Sequence, residues 1–142
     1  MAVVEPDALE TALARVGDRW TLLLINALLD GPRRFNELQQ GLTGIATNVL
    51  SQRLKHLERA GVVVAQPYST RPLRHVYELT AAGRDLAGAL RLLTHWGADQ
   101  AGAPAALHHE ACGTPLEVRW WCPTCDRVVD EHNEEHEGLH HV

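Results

Sequence analysis

Apolar residues recur at helical spacing along the first sixty positions of the chain. Residues 8–16 predict a first helix, and Asp18 is placed to cap a second one. Residues 20–29 of this second helix carry apolar side chains on every face, so we expect it to be buried nearly all round. The pair Gly31-Pro32 ends it.

Two further helices follow, with a tight turn between them. Asn36 and Gln39 have the spacing of a capping box, which predicts a two-turn helix beginning there. The next helix is predicted over 46–60. Gly61 suits the left-handed position that closes a helix at its carboxyl end.

After the helix predicted over 46–60, the pattern becomes that of a β-hairpin. Residues 62–64 are valines, residues 67–72 are rich in turn formers and predict a long tip, and residues 75–79 alternate. Thr80 is placed to cap a final amphipathic helix. This order of elements predicts a mainly α, winged helix-turn-helix domain with a small β-hairpin (α+β) over residues 1–97.

The helix predicted over 46–60 has two distinct faces. Leu50, Leu54 and Leu57 share one face and form a core stripe. The opposite face offers amides that can read adenine edges and cations that can meet guanine or phosphate. Its members are Asn48, Gln52, Lys55 and Arg59. The same pattern also fits an ordinary solvated helix face, so the helix alone leaves both interpretations open.

Charge is distributed unevenly along the chain. The net charge is −5, yet residues 33–91 hold nine basic side chains against four acidic ones, whereas residues 98–142 hold two against nine. Arg71 and Arg74 stand at the hairpin tip, where they could reach phosphate or the minor groove or simply be solvated. The winged-helix region therefore has a local cationic character that suits double-stranded DNA.

The run GDRWTLLLINALLDGPRRFNELQQGLTGIATNVLSQRLKHLERAGVV, followed by YSTRPLRHVYELTAAGRDL, resembles the HxlR-type winged-helix transcription regulators of bacteria and archaea. The resemblance covers roughly residues 8–97. It implies a homodimer, joined through the first and last helices, that binds an operator with two half-sites. The positions that it assigns to DNA binding are Thr47, Asn48, Gln52, Arg53 and Lys55, with Arg71 and Arg74 on the wing.

Two departures from the family pattern change the expectations. Ala46 stands where the family usually has Ser, so the helix cap is expected to pass to Thr47 or to be weaker, a change that typically costs about 1 kcal/mol. Residues 1–20 hold no cysteine, whereas many members carry one near the N-terminus that in some serves as a sensor for electrophiles or oxidants, so we do not expect that mode of sensing here. The resemblance leaves room for a small-molecule effector, for which the sequence offers no site.

One face of the last helix lacks an obvious partner within the chain. Its apolar side chains are expected to meet the same face of a second copy. These predicted dimerisation residues are Leu86, Leu90, Leu93 and Trp96.

The segment 107–130 carries two pairs of metal-ligating residues. The pairs are His109 with Cys112 and Cys122 with Cys125, each with two residues between its members. Such pairs on two tight turns, joined by a strand over 115–121 and closed by one over 127–129, predict a small zinc ribbon with one structural Zn²⁺. So small a segment has little core to stabilise it without a metal. His108 is the alternative fourth ligand.

Other interpretations of this segment stay open. Cys122 and Cys125 could form a reversible disulfide, which would make the segment an oxidation sensor or a protein-interaction module with the winged helix as its dimer scaffold. Three thiolates and one water would form a catalytic zinc site, but no general base is placed for it. Residues 98–106 predict a linker. Residues 131–142 predict a disordered, acidic, His-rich tail, which receives no site assignment.

Enzymatic and membrane functions find no support in the sequence. No nucleophile and base pair, phosphate loop or paired-carboxylate motif is present, and His56, His75 and His95 fit surface positions better than catalysis. The longest apolar stretch is about half of the ~20 residues that cross a bilayer. We therefore expect a cytoplasmic regulator that is not an enzyme.

Overall fold

The computed structural model describes residues 7–104 and 107–129. The chain forms two compact units that divide between Arg91 and Leu92. The predicted tail 131–142 lies outside the described residues. In chain order the elements are α1 (Ala8–Val16), α2 (Arg19–Leu28), β1 (Arg33–Arg34), α3 (Phe35–Gly41), α4 (Thr47–Arg59), β2 (Val63–Thr70), β3 (Leu73–Leu79), α5 (Ala81–Arg84), α6 (Ala87–Gln100), β4 (Trp120–Cys122) and β5 (Arg127–Val129).

Helices α1 and α2 begin at aspartate caps. The Asp18 carboxylate accepts hydrogen bonds from the backbone N–H groups of Trp20 at 2.9 Å and Thr21 at 3.1 Å, which confirms the predicted cap. Burial of α2 all round is wrong in part, because Leu23 is 39% exposed whereas Leu24 is 0% exposed. One face of α2 is therefore open to solvent.

Helix α3 is capped differently from the prediction. It begins at Phe35, with Arg34 at the cap position, and the Glu37 carboxylate accepts from the Arg34 N–H at 3.1 Å. The predicted box of Asn36 and Gln39 is wrong by two residues, because the chain passes from β1 directly into the helix. Gln39 is thereby free for a contact with α4.

The core of the first unit is built from side chains of α2, α3, α4 and the sheet. Leu50, Leu54 and Leu57 are each at most 1% exposed, so the predicted stripe of α4 is confirmed. Apolar burial of this extent is the dominant stabilising term in a domain of this size. The other fully buried side chains are Leu24, Ile25, Leu38 and Thr21.

The wing is longer and its tip shorter than the sequence pattern suggests. β3 lies between β1 and β2 in an antiparallel sheet, and β2 and β3 extend to a two-residue turn at Arg71 and Pro72. A register shift between Pro67 and Ser69 absorbs one residue. Pro67 is tolerated because β2 is an edge strand, so its missing N–H interrupts no second ladder.

The predicted single last helix is two helices. Thr80 caps α5 as expected and accepts from the Gly83 N–H at 3.2 Å, while its hydroxyl donates to Gly61 O at 2.6 Å. A Cβ at Gly83 would lie 2.4 Å from Val62 O, so only glycine permits this approach. The chain then turns at Leu86 before α6 begins.

Helix α6 runs three residues into the predicted linker, to Gln100. Gly102, at φ 64°, ends it, with Ala103 N donating to Ala98 O at 2.9 Å and Gly102 N to Asp99 O at 3.2 Å. These two bonds are the Schellman pattern. The linker prediction is therefore wrong over 98–100, because the helix ends at the first glycine that adopts a left-handed conformation.

The segment 107–129 of the second unit contains two short antiparallel hairpins. His108 bridges to Pro115, and Trp120 pairs with Val129. Strand β5 matches the predicted one, whereas the predicted strand 115–121 is regular only from Trp120 onwards. No side chain in 107–129 is buried. Within 7–104 and 107–129, no helix is both long enough and apolar enough to span a bilayer.

Candidate nucleic-acid interface

Helices α3 and α4 form the predicted helix-turn-helix, and a side-chain bond joins them. The Gln39 amide donates to the Thr47 hydroxyl at 2.6 Å across the turn. Gly44 takes a left-handed conformation, φ 87°, in that turn, and Leu42 and Ile45 are buried beneath it. The angle between the two helices is therefore held by both packing and hydrogen bonding.

The outer face of α4 is exposed as the periodicity predicts. All four of its polar members project into solvent, namely Asn48, Gln52, Lys55 and Arg59. Val49 and His56 are partly buried at the margins. A rigid inner stripe beneath an exposed face of amides and cations is the arrangement that base readout in the major groove requires.

Arg53 differs from its neighbours on α4. Its Nε lies 3.2 Å from the Asp18 carboxylate at the start of α2, and its side chain is 37% exposed. His56 Nε2 lies 2.7 Å from Arg15 O at the end of α1. Both side chains therefore tie α4 to the α1–α2 junction. The local sequence pattern does not predict these contacts, because the partners of Arg53 and His56 lie 35 or more positions earlier in the chain.

The first turn of α4 has no side-chain cap. Ala46 occupies the cap position without a side-chain hydrogen bond, so the expected weaker cap is confirmed, whereas passage of the cap to Thr47 is not, since Thr47 is the first helical residue. Its hydroxyl faces Gln39 instead. Backbone N–H groups at an uncapped helix start can donate to an anion such as phosphate.

The wing presents its two predicted cations to solvent. Arg71 lies in the turn and Arg74 on β3, and both are exposed. Arg34, which the sequence reasoning did not single out, stacks its guanidinium on the Tyr68 ring at 4.5 Å. A surface cavity of about 500 Å³ lies beside this stack, lined also by Phe35, Glu37 and His75. Only the β1–β3 pairing brings Arg34 here, so no local signal could have found it.

The predicted dimerisation residues divide into two groups. Leu90 is 7% exposed and belongs to the core, with Leu86 packed against that core, so these two are covered within their own chain. Leu93 and Trp96 are 51% and 62% exposed. Leu9 on α1 is exposed as well. The apolar surface open to a partner is therefore displaced towards the carboxyl end of α6.

The four predicted metal ligands form two contacting pairs at the hairpin tips. His109 Nδ1 lies 3.2 Å from Cys112 Sγ. Cys125 N donates to Cys122 Sγ at 3.4 Å. Within 7–104 and 107–129, no three histidine, cysteine or acidic side chains come close enough to hold one metal ion. The structure therefore assembles each pair but does not join the two.

Hydrogen bonds at the hairpin tips shift the thiol acidities. Hydrogen bonding with the side chain and then the backbone of Thr114, whose hydroxyl lies 3.2 Å from Cys112 Sγ, lowers the pKa of Cys112. The Cys125 N–H lowers the pKa of Cys122 in the same way. The pKa of Cys125 is raised by the hydrogen bond and the charge of Cys122 beside it.

Comparison with known proteins agrees with this geometry. Residues 15–104 match the HxlR-like helix-turn-helix family. The chain belongs to that family. Its relatives carry the names of transcriptional regulators rather than enzymes, and the chain is accordingly a transcriptional regulator of the HxlR-like type.

Individual relatives show how far the likeness extends. An uncharacterized HTH-type transcriptional regulator of Mycobacterium tuberculosis, Rv3095, is 39% identical over 133 residues, covering 91% of this chain and 84% of the relative. YodB of Bacillus subtilis is 36% identical over 92 residues, covering 65% and 81%. A MarR-family regulator from Enterococcus faecalis superposes with TM-score 0.60 at 34% identity, covering 71% and 94%. The redox regulator HypR in its oxidized form gives 0.61 at 31%, covering 64% and 94%.

The coverages differ between relatives. The mycobacterial match leaves only 9% of this chain, about 13 residues, unmatched, so it extends through 107–129. The YodB match is shorter and covers 65% of this chain.

Proposed function

We propose that this HxlR-like regulator binds a two-half-site DNA operator as a homodimer and reads bases with the outer face of α4. The observation that carries the proposal is the contrast within that helix: its inner leucines are at most 1% exposed, while its amide and cationic side chains are free on the surface. A helix so held can place side chains against base edges without first becoming ordered.

Individual roles follow from position and chemistry. The amides of Asn48 and Gln52 suit bidentate pairing with adenine, and Lys55 and Arg59 suit guanine or phosphate. Arg53 is assigned instead to positioning α4, because its Nε is engaged by Asp18. Phosphate contacts are assigned to Arg71 and Arg74 on the wing and to Thr47 at the uncapped start of α4.

The dimer contact is assigned to the exposed apolar residues of α6 and α1. Trp96, Leu93 and Leu9 are each more than half exposed, which is costly for a monomer in water. A second copy supplies the same surface in return, as two-fold symmetry requires. Two half-sites one or more helical turns apart follow from such a dimer.

Selection of binding sites from a random DNA pool tests the readout. Gln52→Ala should change the preferred base at one operator position, by about 1–3 kcal/mol, because one bidentate contact is lost. Arg71→Ala should weaken all sequences alike and lower the dependence on salt. Asn26→Ala, at an exposed position of α2, is the control outside both the DNA-binding face and the proposed dimer contact and should change neither.

The same assay distinguishes the rival function. A winged helix that serves only as a scaffold for the cysteine segment would select no sequence and would bind DNA weakly with strong salt dependence. A uniform loss of affinity in both Gln52→Ala and Arg71→Ala would contradict readout by α4.

Sedimentation of the full chain tests the dimer. Leu93→Asp should convert dimers to monomers and abolish the two-half-site footprint, because it places a charge in an apolar contact. Arg91→Asp is the control, an exposed position about 200° around the same helix. A wild-type chain that is monomeric at micromolar concentration would contradict the proposal.

A further inference from the structure

The two ligand pairs of the second unit share one backbone design. Each pair lies at a hairpin tip, and the residue that directly follows its second member adopts a left-handed conformation, Gly113 at φ 71° and Asp126 at φ 55°. Positive φ is uncommon for a residue other than glycine, and aspartate is among the few that adopt it readily, so both turns carry a residue suited to this shape. Two independent turns of one shape, each presenting two metal donors, point to one common ligand.

The donors of the first pair are already close to the spacing that a metal ion demands. Two donors at 2.0 Å and 2.3 Å from a tetrahedral Zn²⁺ stand about 3.5 Å apart. His109 Nδ1 and Cys112 Sγ are separated by 3.2 Å. The Cys125 N–H points at Cys122 Sγ, where it would offset part of the negative charge of a bound thiolate.

Within residues 107–129 the segment around the pairs has no apolar core. No side chain in 107–129 is buried, and Trp121 remains 56% exposed. Chains of this size ordinarily require a metal or disulfides to hold defined hairpins. The histidine and cysteine side chains of the segment supply donors for a metal ion.

We propose that His109, Cys112, Cys122 and Cys125 bind one structural Zn²⁺ that joins the two hairpin tips. The three thiols release their protons to solvent and the imidazole binds as the neutral base, so the site carries a net charge of −1. Residues 116–119 belong to neither helix nor strand and provide the place where the chain between the pairs can reverse. The closure of so short a loop costs little against four ligand bonds.

The structure favours His109 over the alternative ligand His108. Neighbouring residues on an extended strand point to opposite faces, and His109 is the one whose ring nitrogen meets Cys112. His108 therefore serves as the matched control for His109.

Elemental analysis and native mass spectrometry of the full chain, purified without chelator and supplied with zinc, test the site. We expect one zinc per chain, and its loss in Cys112→Ser, Cys122→Ser, Cys125→Ser and His109→Ala. His108→Ala should keep its zinc. Replacement by Co²⁺ should give the visible absorption and thiolate charge-transfer bands of a tetrahedral S₃N site. Circular dichroism of each variant should retain the helical signal, which shows that metal loss is not unfolding of the winged helix.

Three outcomes would overturn the proposal. The first is zinc retained in Cys122→Ser. The second is zinc lost when His132, His136, His140 and His141 are together replaced by Gln, which would move the metal to the carboxyl-terminal tail. The third is a metal-free chain whose Cys122 and Cys125 form a disulfide by mass, which would make the pair a redox couple. DNA selection by the winged helix is independent of all three.

Discussion

The winged-helix region and the segment 107–129 are stabilised in opposite ways. In the former, seven large side chains are less than 2% exposed, among them Leu24, Leu38 and Leu54. In the latter, hairpins of three or fewer residues a strand stand without one buried side chain. Burial of apolar surface is non-local and requires a long chain, whereas a hairpin tip with paired ligands is local. A short segment of this kind therefore needs a metal ion, a disulfide or a partner chain to acquire comparable order.

The comparison is tested most strongly at the centre of the core. Leu24→Ala should destabilise the winged helix by about 2–5 kcal/mol, since it leaves a cavity among side chains that cannot collapse around it. Denaturant unfolding followed at 222 nm measures the change. Leu23→Ala, on the same helix but 39% exposed, is the matched control and should cost far less. Equal losses would show that the buried face of α2 is misassigned.

A smaller effect is expected where backbone meets backbone. Gly83→Ala places a methyl 2.4 Å from Val62 O, so strand or helix must shift, at a cost of about 1–3 kcal/mol. Gly88→Ala meets nothing within 4 Å on α6 and should be neutral or slightly stabilising. Thermal unfolding compares the two. A Gly83→Ala chain as stable as wild type would show that α5 does not require this close approach.

The smallest effect is expected in the second region. Tryptophan has the largest of all side chains, and Trp121→Ala removes one. The unfolding free energy of the winged helix should nevertheless change by less than about 0.5 kcal/mol, because Trp121 is 56% exposed. The helical signal at 222 nm reports the winged helix. A change as large as that of Leu24→Ala would mean that the two regions share one core.

Much of the winged helix is predictable because its signals are local. Asp18 caps α2, Gly61 closes α4 with φ 73°, and the leucine stripe of α4 is buried, each as periodicity and cap chemistry indicate. The errors lie at junctions. The cap of α3 lies two residues earlier than predicted and the last helix breaks at Leu86, because strand pairing and close backbone contacts override local preference there.

The candidate site shows the same division. The outward position of Gln52 follows from 100° per residue alone. The engagement of Arg53 by Asp18 and the stack of Arg34 on Tyr68 join residues more than 30 positions apart. The pairing of His109 with Cys112 is local, and its spacing was enough to predict it.

The amino-acid sequence by itself determined α1, α2 and α4, the Asp18 cap of α2, the buried and exposed faces of α4 and the two pairs of metal donors, because each depends on residues within a few positions of one another. The tertiary structure alone decided which exposed cations remain free for DNA and which apolar residues of the last helix are already covered. Leu90 and Leu93 have the same chemistry and differ only in what packs against them. Long-range packing carries no signature in a local pattern, since it is set by which elements meet.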